Sequence, residues 1–178
     1  MGRSSYKFFE EDYPYFITST LNYGIPLFSD QRIARIVLNS IQFIQDHKKA
    51  KVYAYVIMEN HIHMIFMSEK PSNVMKSFKS FTARKIINSL DERKRRIYLG
   101  RLRFHKKFHK KKSTYQVWEE GVHPIQIDNP DSMERIINYI HYNPVKAGYV
   151  DKPTEWRYSS ARNYSNQVGL IKVTLYGG

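Results

Sequence analysis

Cysteine is absent from this 178-residue chain. That excludes disulfides and thiolate metal centres, so a bound metal has to use His, Asn, Gln, Asp or Glu. No apolar run approaches the roughly 20 residues that cross a bilayer, and the polar N-terminus carries no signal-peptide pattern. A cytoplasmic protein without a membrane partner is therefore expected. No internal repeat is visible. Negative charge is scarce: 16 Asp and Glu stand against 29 Lys and Arg, for a formal net charge of +13.

What is present is an ordinary globular composition with an excess of positive charge. Hydrophobic residues make up 42% of the chain, enough to build one compact α+β domain over residues 1–178 and to set disorder aside. A basic protein of this size meets polyanions, because phosphate contacts release condensed counterions. Fourteen Tyr and ten Phe add flat surfaces on which unpaired bases stack.

The chain reads as alternating elements. Residues 13–21 are rich in aromatic and β-branched side chains and predict a first strand. Ser29 or Asp30 then offers an N-cap to a helix in which Ile33, Ile36, Val37, Ile41 and Ile44 recur at helical spacing, up to about His47. A strand over 51–58, with Tyr53, Tyr55 and Ile57 on one side, turns at Glu59-Asn60 into a strand over 61–67. Ser72 offers a cap to a second helix with Val74, Phe78, Phe81, Ile86 and Leu90 as its stripe. Eleven of the twenty residues from Arg93 to Lys112 are Lys or Arg, which suggests a basic, loosely packed insertion at about 91–114. A strand over about 115–127 follows, then a helix over about 131–143 containing Met133, Ile136, Ile137 and Ile140, and a turn-rich tail after 151. The β-α-β-β-α-β order predicts a ferredoxin-like split βαβ fold: an antiparallel four-stranded sheet with helices on one face, plus an added C-terminal helix. In that topology the first and third strands are central neighbours.

Two segments carry chemistry. In the third strand, His61 and His63 are two residues apart and share one face, opposite Ile62, Met64 and Phe66. In the last helix, Tyr139 and Asn143 are four apart and share a face, and Pro144 is expected to place Asn143 near the helix end. If that face covers the open side of the sheet, Asn143 joins His61 and His63 as a third metal ligand, with Tyr139 beside the metal as a nucleophile. Two imidazoles and an amide leave coordination positions for water and phosphate oxygens, which suits Mg²⁺ or Mn²⁺.

Taken together, these motifs resemble the HUH-class single-tyrosine transposases, and most closely the REP-associated tyrosine transposases. The resemblance rests on Met58-Glu59-Asn60-His61-Ile62-His63 and on Tyr139-Ile140-His141-Tyr142-Asn143-Pro144-Val145-Lys146-Ala147-Gly148. Supporting matches are Phe78-Lys79-Ser80-Phe81-Thr82, Val117-Trp118-Glu119-Glu120-Gly121 and Ser159-Ser160-Ala161. It covers roughly residues 13–162. One departure is Glu59, where the family often has Pro, and it adds a carboxylate near the histidines. A second tyrosine, Tyr142, stands three residues after Tyr139 as an alternative nucleophile.

The resemblance implies a metal-dependent single-stranded DNA endonuclease and strand transferase that acts on hairpin-forming DNA. Tyr139 would form a 5′-phosphotyrosine link, and His61, His63 and Asn143 would hold the metal. Lys79, Arg84, Lys85, Arg95, Arg96, Arg101 and Arg103 are the residues expected to contact DNA phosphates. Both monomeric and homodimeric action occur among such proteins. The alternatives are a rolling-circle replication initiator or relaxase-like nickase, and a domesticated, non-catalytic hairpin-binding protein.

Overall fold

The computed structural model describes residue 8 and residues 10–111 and 113–177. Residues 1–7, 9, 112 and 178 belong to the span expected to form a single domain and lie outside the described residues. The elements are β1 (Tyr15–Thr20), α1 (Gln31–Lys48), β2 (Lys51–Ile57), β3 (His61–Met67), α2 (Pro71–Glu92), α3 (Arg96–Phe104), β4 (Ile125–Gln126) and α4 (Pro130–Lys146). The four strands lie in the order β2-β3-β1-β4 with antiparallel neighbours. This is the expected split βαβ sheet, with β1 and β3 central.

Strand periodicity divides the sheet into two faces. Ile62, Met64 and Phe66 of β3 join Ile33, Val37 and Ile41 of α1 and Val74, Phe78 and Ile86 of α2 in the larger core. On the other face, Phe16, Ala54, Val56 and Ile65 pack against Met133, Ile137 and Ile140 of α4. Burial of each of those three α4 side chains stabilises the docking by about 1.5–3 kcal/mol. The added helix therefore covers the face that carries His61 and His63.

Local chemistry accounts for the boundaries. Asp30 caps α1 by accepting the Arg32 N–H at 3.0 Å. Met58 N–H donates to His61 O at 2.9 Å and closes the two-residue hairpin at Glu59-Asn60. Helix α2 starts with Pro71 at its first position rather than behind a Ser72 cap; proline's missing N–H is harmless where the helix has no partner for it. Phe81 leaves the apolar stripe and is 41% exposed. A register shift between Val52 and Ala54 sends Tyr53 to the α4 face, away from Tyr55 and Ile57.

Three other expectations change. The strand foreseen over 115–127 is reduced to Ile125–Gln126 plus a bridge between Leu21 and Trp118, since Gly121 at φ 79° turns the chain and Pro124 has no N–H to donate. Part of the basic segment is packed: Arg96–Phe104 forms α3, which buries Leu99 and Leu102 in the larger core. Helix α4 continues through Pro144 to Lys146, so Asn143 lies inside it. The proline removes only its own bond to Ile140 O. Beyond it, Gly148 at φ 75° lets Gly148 N–H reach Val145 O and Tyr149 N–H reach Pro144 O, closing the helix in a Schellman arrangement.

The tail after 151 is ordered along the outer edge of β2. Ile57 N–H donates to Tyr158 O, Ser160 N–H to Tyr55 O, and the Trp156 indole to Ile57 O at 3.0 Å. These bonds cover the otherwise open strand edge.

Candidate functional site around the histidine pair

The site forms where β3 and β1 meet α4. Across the central pair, Thr18 faces His63 and Thr20 faces His61. The two imidazole centroids are 4.8 Å apart. His63 is 6% exposed, and burial, followed by the neighbouring His61, lowers its pKa to about 3. Burial also lowers that of half-buried His61, against an upward pull from Glu59. Both rings are therefore neutral at physiological pH, the form in which imidazole binds a metal.

Each ring is held through Nδ1. Asn60 Oδ1 lies 2.6 Å from His61 Nδ1, while Asn60 Nδ2 donates to Gly24 O at 3.4 Å. An amide oxygen only accepts, so His61 carries its proton on Nδ1 and its lone pair on Nε2. His63 Nδ1 lies 2.8 Å from Thr18 Oγ1, a hydroxyl able to accept or donate, so Nε2 is the nitrogen outside this bond. Such outer partners fix ring orientation and raise ligand basicity. Asn60 and Thr18 escaped sequence reasoning as functional residues. Asn60 stood in plain view beside His61, but Thr18 is identified only by strand register.

The structure brings Tyr139 to this pair. Its ring centroid is 5.4 Å from that of His63 and 6.0 Å from Phe16, which in turn stacks on His63 at 5.4 Å. Tyr139 is 40% exposed, and Lys146 Nζ stands 5.5 Å above its ring. Asn143 is half-buried one turn further along α4. Tyr142 is exposed on α4. The Glu59 carboxylate accepts a hydrogen bond from the Tyr149 phenol, whose pKa is raised by burial first and then by Glu59. Among the described residues no three His, Asp or Glu side chains gather around a metal position.

Helix α4 is anchored by His141, which is 6% exposed and has its pKa lowered to about 4 by burial. Its Nε2 lies 2.9 Å from Ser160 Oγ, which also accepts the Tyr55 N–H at 2.9 Å. One hydroxyl therefore joins α4 to β2.

The expected DNA contacts are scattered. Lys79 Nζ donates to Glu119 O at 2.8 Å and Gly121 O at 2.7 Å beside the Trp118 ring, and burial lowers its pKa to about 8. Trp118 donates to Thr82 at 2.9 Å, so these motif residues clamp the 117–121 segment onto α2. Arg84 and Lys85 are exposed over the Phe81 ring on the outer surface of α2. Arg96 pairs with Asp91, while Arg95, Arg101 and Arg103 are exposed on or beside α3. A groove of about 1130 Å³ between α2 and the 113–122 segment is lined by neither histidine nor Tyr139. The histidine face instead combines neutral imidazoles with a phenol and an ammonium.

Comparison with known proteins bears on the family and the fold. Residues 11–116 match the family model of IS200-like transposases. That stretch is more than half of the chain and contains β1, β3 and both histidines; the chain belongs to the IS200-like transposase family. The match stops before α4, so Tyr139 and Asn143 stand outside it. Among solved structures the fold is similar to that of a REP-associated tyrosine transposase bound to a REP hairpin, with TM-score 0.65 at 16% identity over 99% of this chain and 96% of that one. A putative transposase from Deinococcus radiodurans R1 aligns with TM-score 0.47 at 15% identity, over 79% of this chain and 94% of that one. A comparison with curated protein sequences gives no match. Among the described residues, no helix is long and apolar enough to cross a membrane.

Proposed function

We propose that this chain, as a single domain, cleaves and rejoins single-stranded DNA beside a hairpin, in the manner of the REP-associated branch of its family. Tyr139 is the nucleophile, and His61, His63 and Asn143 are the ligands of a Mg²⁺ or Mn²⁺ ion. The observation that carries this reading is the Tyr139 ring lying 5.4 Å from the His63 ring on the face of the sheet where both imidazoles are held by Nδ1. When bound, the divalent ion supplies Lewis-acid polarisation of the non-bridging phosphate oxygens.

The Tyr139 oxygen attacks phosphorus and the P–O3′ bond breaks. The phenol's proton passes through solvent to the leaving 3′-oxygen. The products are a 5′-phosphotyrosine and a free 3′-hydroxyl. The phosphodiester is conserved, so the 3′-hydroxyl of a second strand reverses the step and releases the phenol without ATP. Lys146, 5.5 Å above the Tyr139 ring, places a cation where phosphate charge gathers.

The test is incubation of the full chain with a labelled hairpin carrying single-stranded flanks and Mg²⁺ or Mn²⁺. A protein–DNA adduct that survives denaturation, persists in Tyr142→Phe and is missing in Tyr139→Phe is the expected result. Hairpin binding without any adduct would instead fit a non-catalytic binding protein.

A further inference from the structure

Tyr23 lies just beyond β1 and holds φ at 57°, a left-handed backbone that costs a non-glycine residue stability and collects at functional positions. Its ring is 72% exposed, so burial does not offset that strain. The ring lies face to face on the His105 imidazole, with centroids 3.6 Å apart and planes 9° from parallel. Phe104, 83% exposed, meets the same imidazole edge-on at 5.0 Å. The three rings form an aromatic surface that contributes little to the core of this chain.

The surface is fixed in place and tied to the histidine pair. Buried Asn22 donates its Nδ2 to His105 O at 2.9 Å, pinning the end of α3 against the turn after β1. Asn60, whose Oδ1 orients His61, donates its Nδ2 to Gly24 O, next to Tyr23. One residue thus bridges the imidazole pair and the aromatic turn. Arg101 lies one turn before His105 and Arg103 beside Phe104; among the described residues neither has an ion-pair partner, whereas Arg93, Arg96, Lys107 and Lys110 pair with Asp30, Asp91 or Glu120.

We propose that Tyr23, His105 and Phe104 form a stacking platform for unpaired bases of the strand that runs to or from the Tyr139 site, with Arg101 and Arg103 gripping its phosphates. This rests on the single-stranded DNA reading above and adds the path of the flanking strand. Only unpaired bases offer free π-faces to such rings, and guanidinium groups beside them match a sugar-phosphate backbone.

The experiment uses the full chain without metal, so that binding is measured apart from cleavage. The probes are a hairpin with 2-aminopurine in a single-stranded flank, placed at each end in turn, and the same hairpin without flanks. Stacking quenches 2-aminopurine in one of the two flanked probes. Tyr23→Asn keeps a residue that tolerates the left-handed backbone, and Phe104→Ala trims an exposed ring. Each weakens binding of that flanked probe roughly fivefold to a hundredfold, the range of one lost base stack, and leaves the flankless hairpin unaffected. The lost affinity appears with a lost quench. No quench in either probe, unchanged affinity in both variants, or equal loss with and without flanks would overturn the platform. A wild-type chain that forms no adduct counts against the parent reading, whereas normal adducts without flank dependence count against the platform alone.

Discussion

Replacing Thr18 by Val isolates the hold on His63. The two side chains have nearly the same shape, and the substitution removes only the hydroxyl that sits 2.8 Å from His63 Nδ1. His63 is 6% exposed, so water cannot readily take that hydroxyl's place. An unsatisfied buried polar group costs about 1–3 kcal/mol, which lowers the melting temperature by roughly 2–4 °C per kcal/mol at this chain length. The loss of an outer hydrogen bond from a metal-bound histidine weakens metal affinity by about 10–100-fold. Mn²⁺ titration followed by electron paramagnetic resonance reads the affinity directly, and excess Mn²⁺ restores adduct formation. Unchanged Mn²⁺ affinity in Thr18→Val, with the fold intact, would refute the assignment of Nδ1 as the anchored nitrogen and Nε2 as the metal-facing one.

Other consequences are equally open to measurement. Ser160→Ala removes the hydroxyl shared by His141 and the Tyr55 N–H; urea titration is expected to show a loss of about 1–3 kcal/mol, and an unchanged midpoint would contradict the anchoring of α4. Burial lowers the pKa values of His63 and His141 to about 3 and about 4 against an ordinary 6.5. The unfolded chain therefore takes up protons below pH 6.5 that the folded chain refuses. Metal-free stability is full above that pH and falls toward pH 4 by roughly 1.4 kcal/mol per pH unit for each histidine; a flat urea midpoint between pH 7 and 4.5 would refute the buried neutral state. Lys79→Ala is expected to act on stability through the lost bonds to Glu119 O and Gly121 O, leaving the salt dependence of hairpin binding nearly unchanged. Arg101→Ala is expected to reduce the slope of log affinity against log salt by about 1.

Sequence patterning reached the strand order and the two faces of β3 because the period of two in His61-Ile62-His63-Met64 has one reading in a sheet buried on both sides. That Tyr139 and Asn143 share a helix face follows from their spacing of four wherever the helix ends. Asn143's place within the helix did not follow from Pro144, since two backbone bonds beyond the proline, from Gly148 and Tyr149, hold the last turn in place of the one it removes. Likewise, charge density alone suggested a loose insertion at 91–114, whereas Leu99 and Leu102 at helical spacing carry α3 into the core. Thr18 was invisible for a different reason: its partner is set by the register of β1 on β3, which no local signal encodes. Of the motif residues, Trp118, Thr82, Lys79, His141 and Ser160 brace the elements that present the site, a role that only three-dimensional contacts reveal.

The account stands or falls on the histidine pair and Tyr139 forming one reactive centre. After reaction with hairpin DNA and Mn²⁺, nuclease trimming and tryptic digestion release the peptide 136–146, which contains both candidate tyrosines. Fragmentation in a mass spectrometer is predicted to locate the residual 5′-phosphonucleotide on Tyr139, and to find none when His63 is replaced by Ala. A nucleotide on Tyr142, or one on Tyr139 that forms equally well without His63, would contradict it.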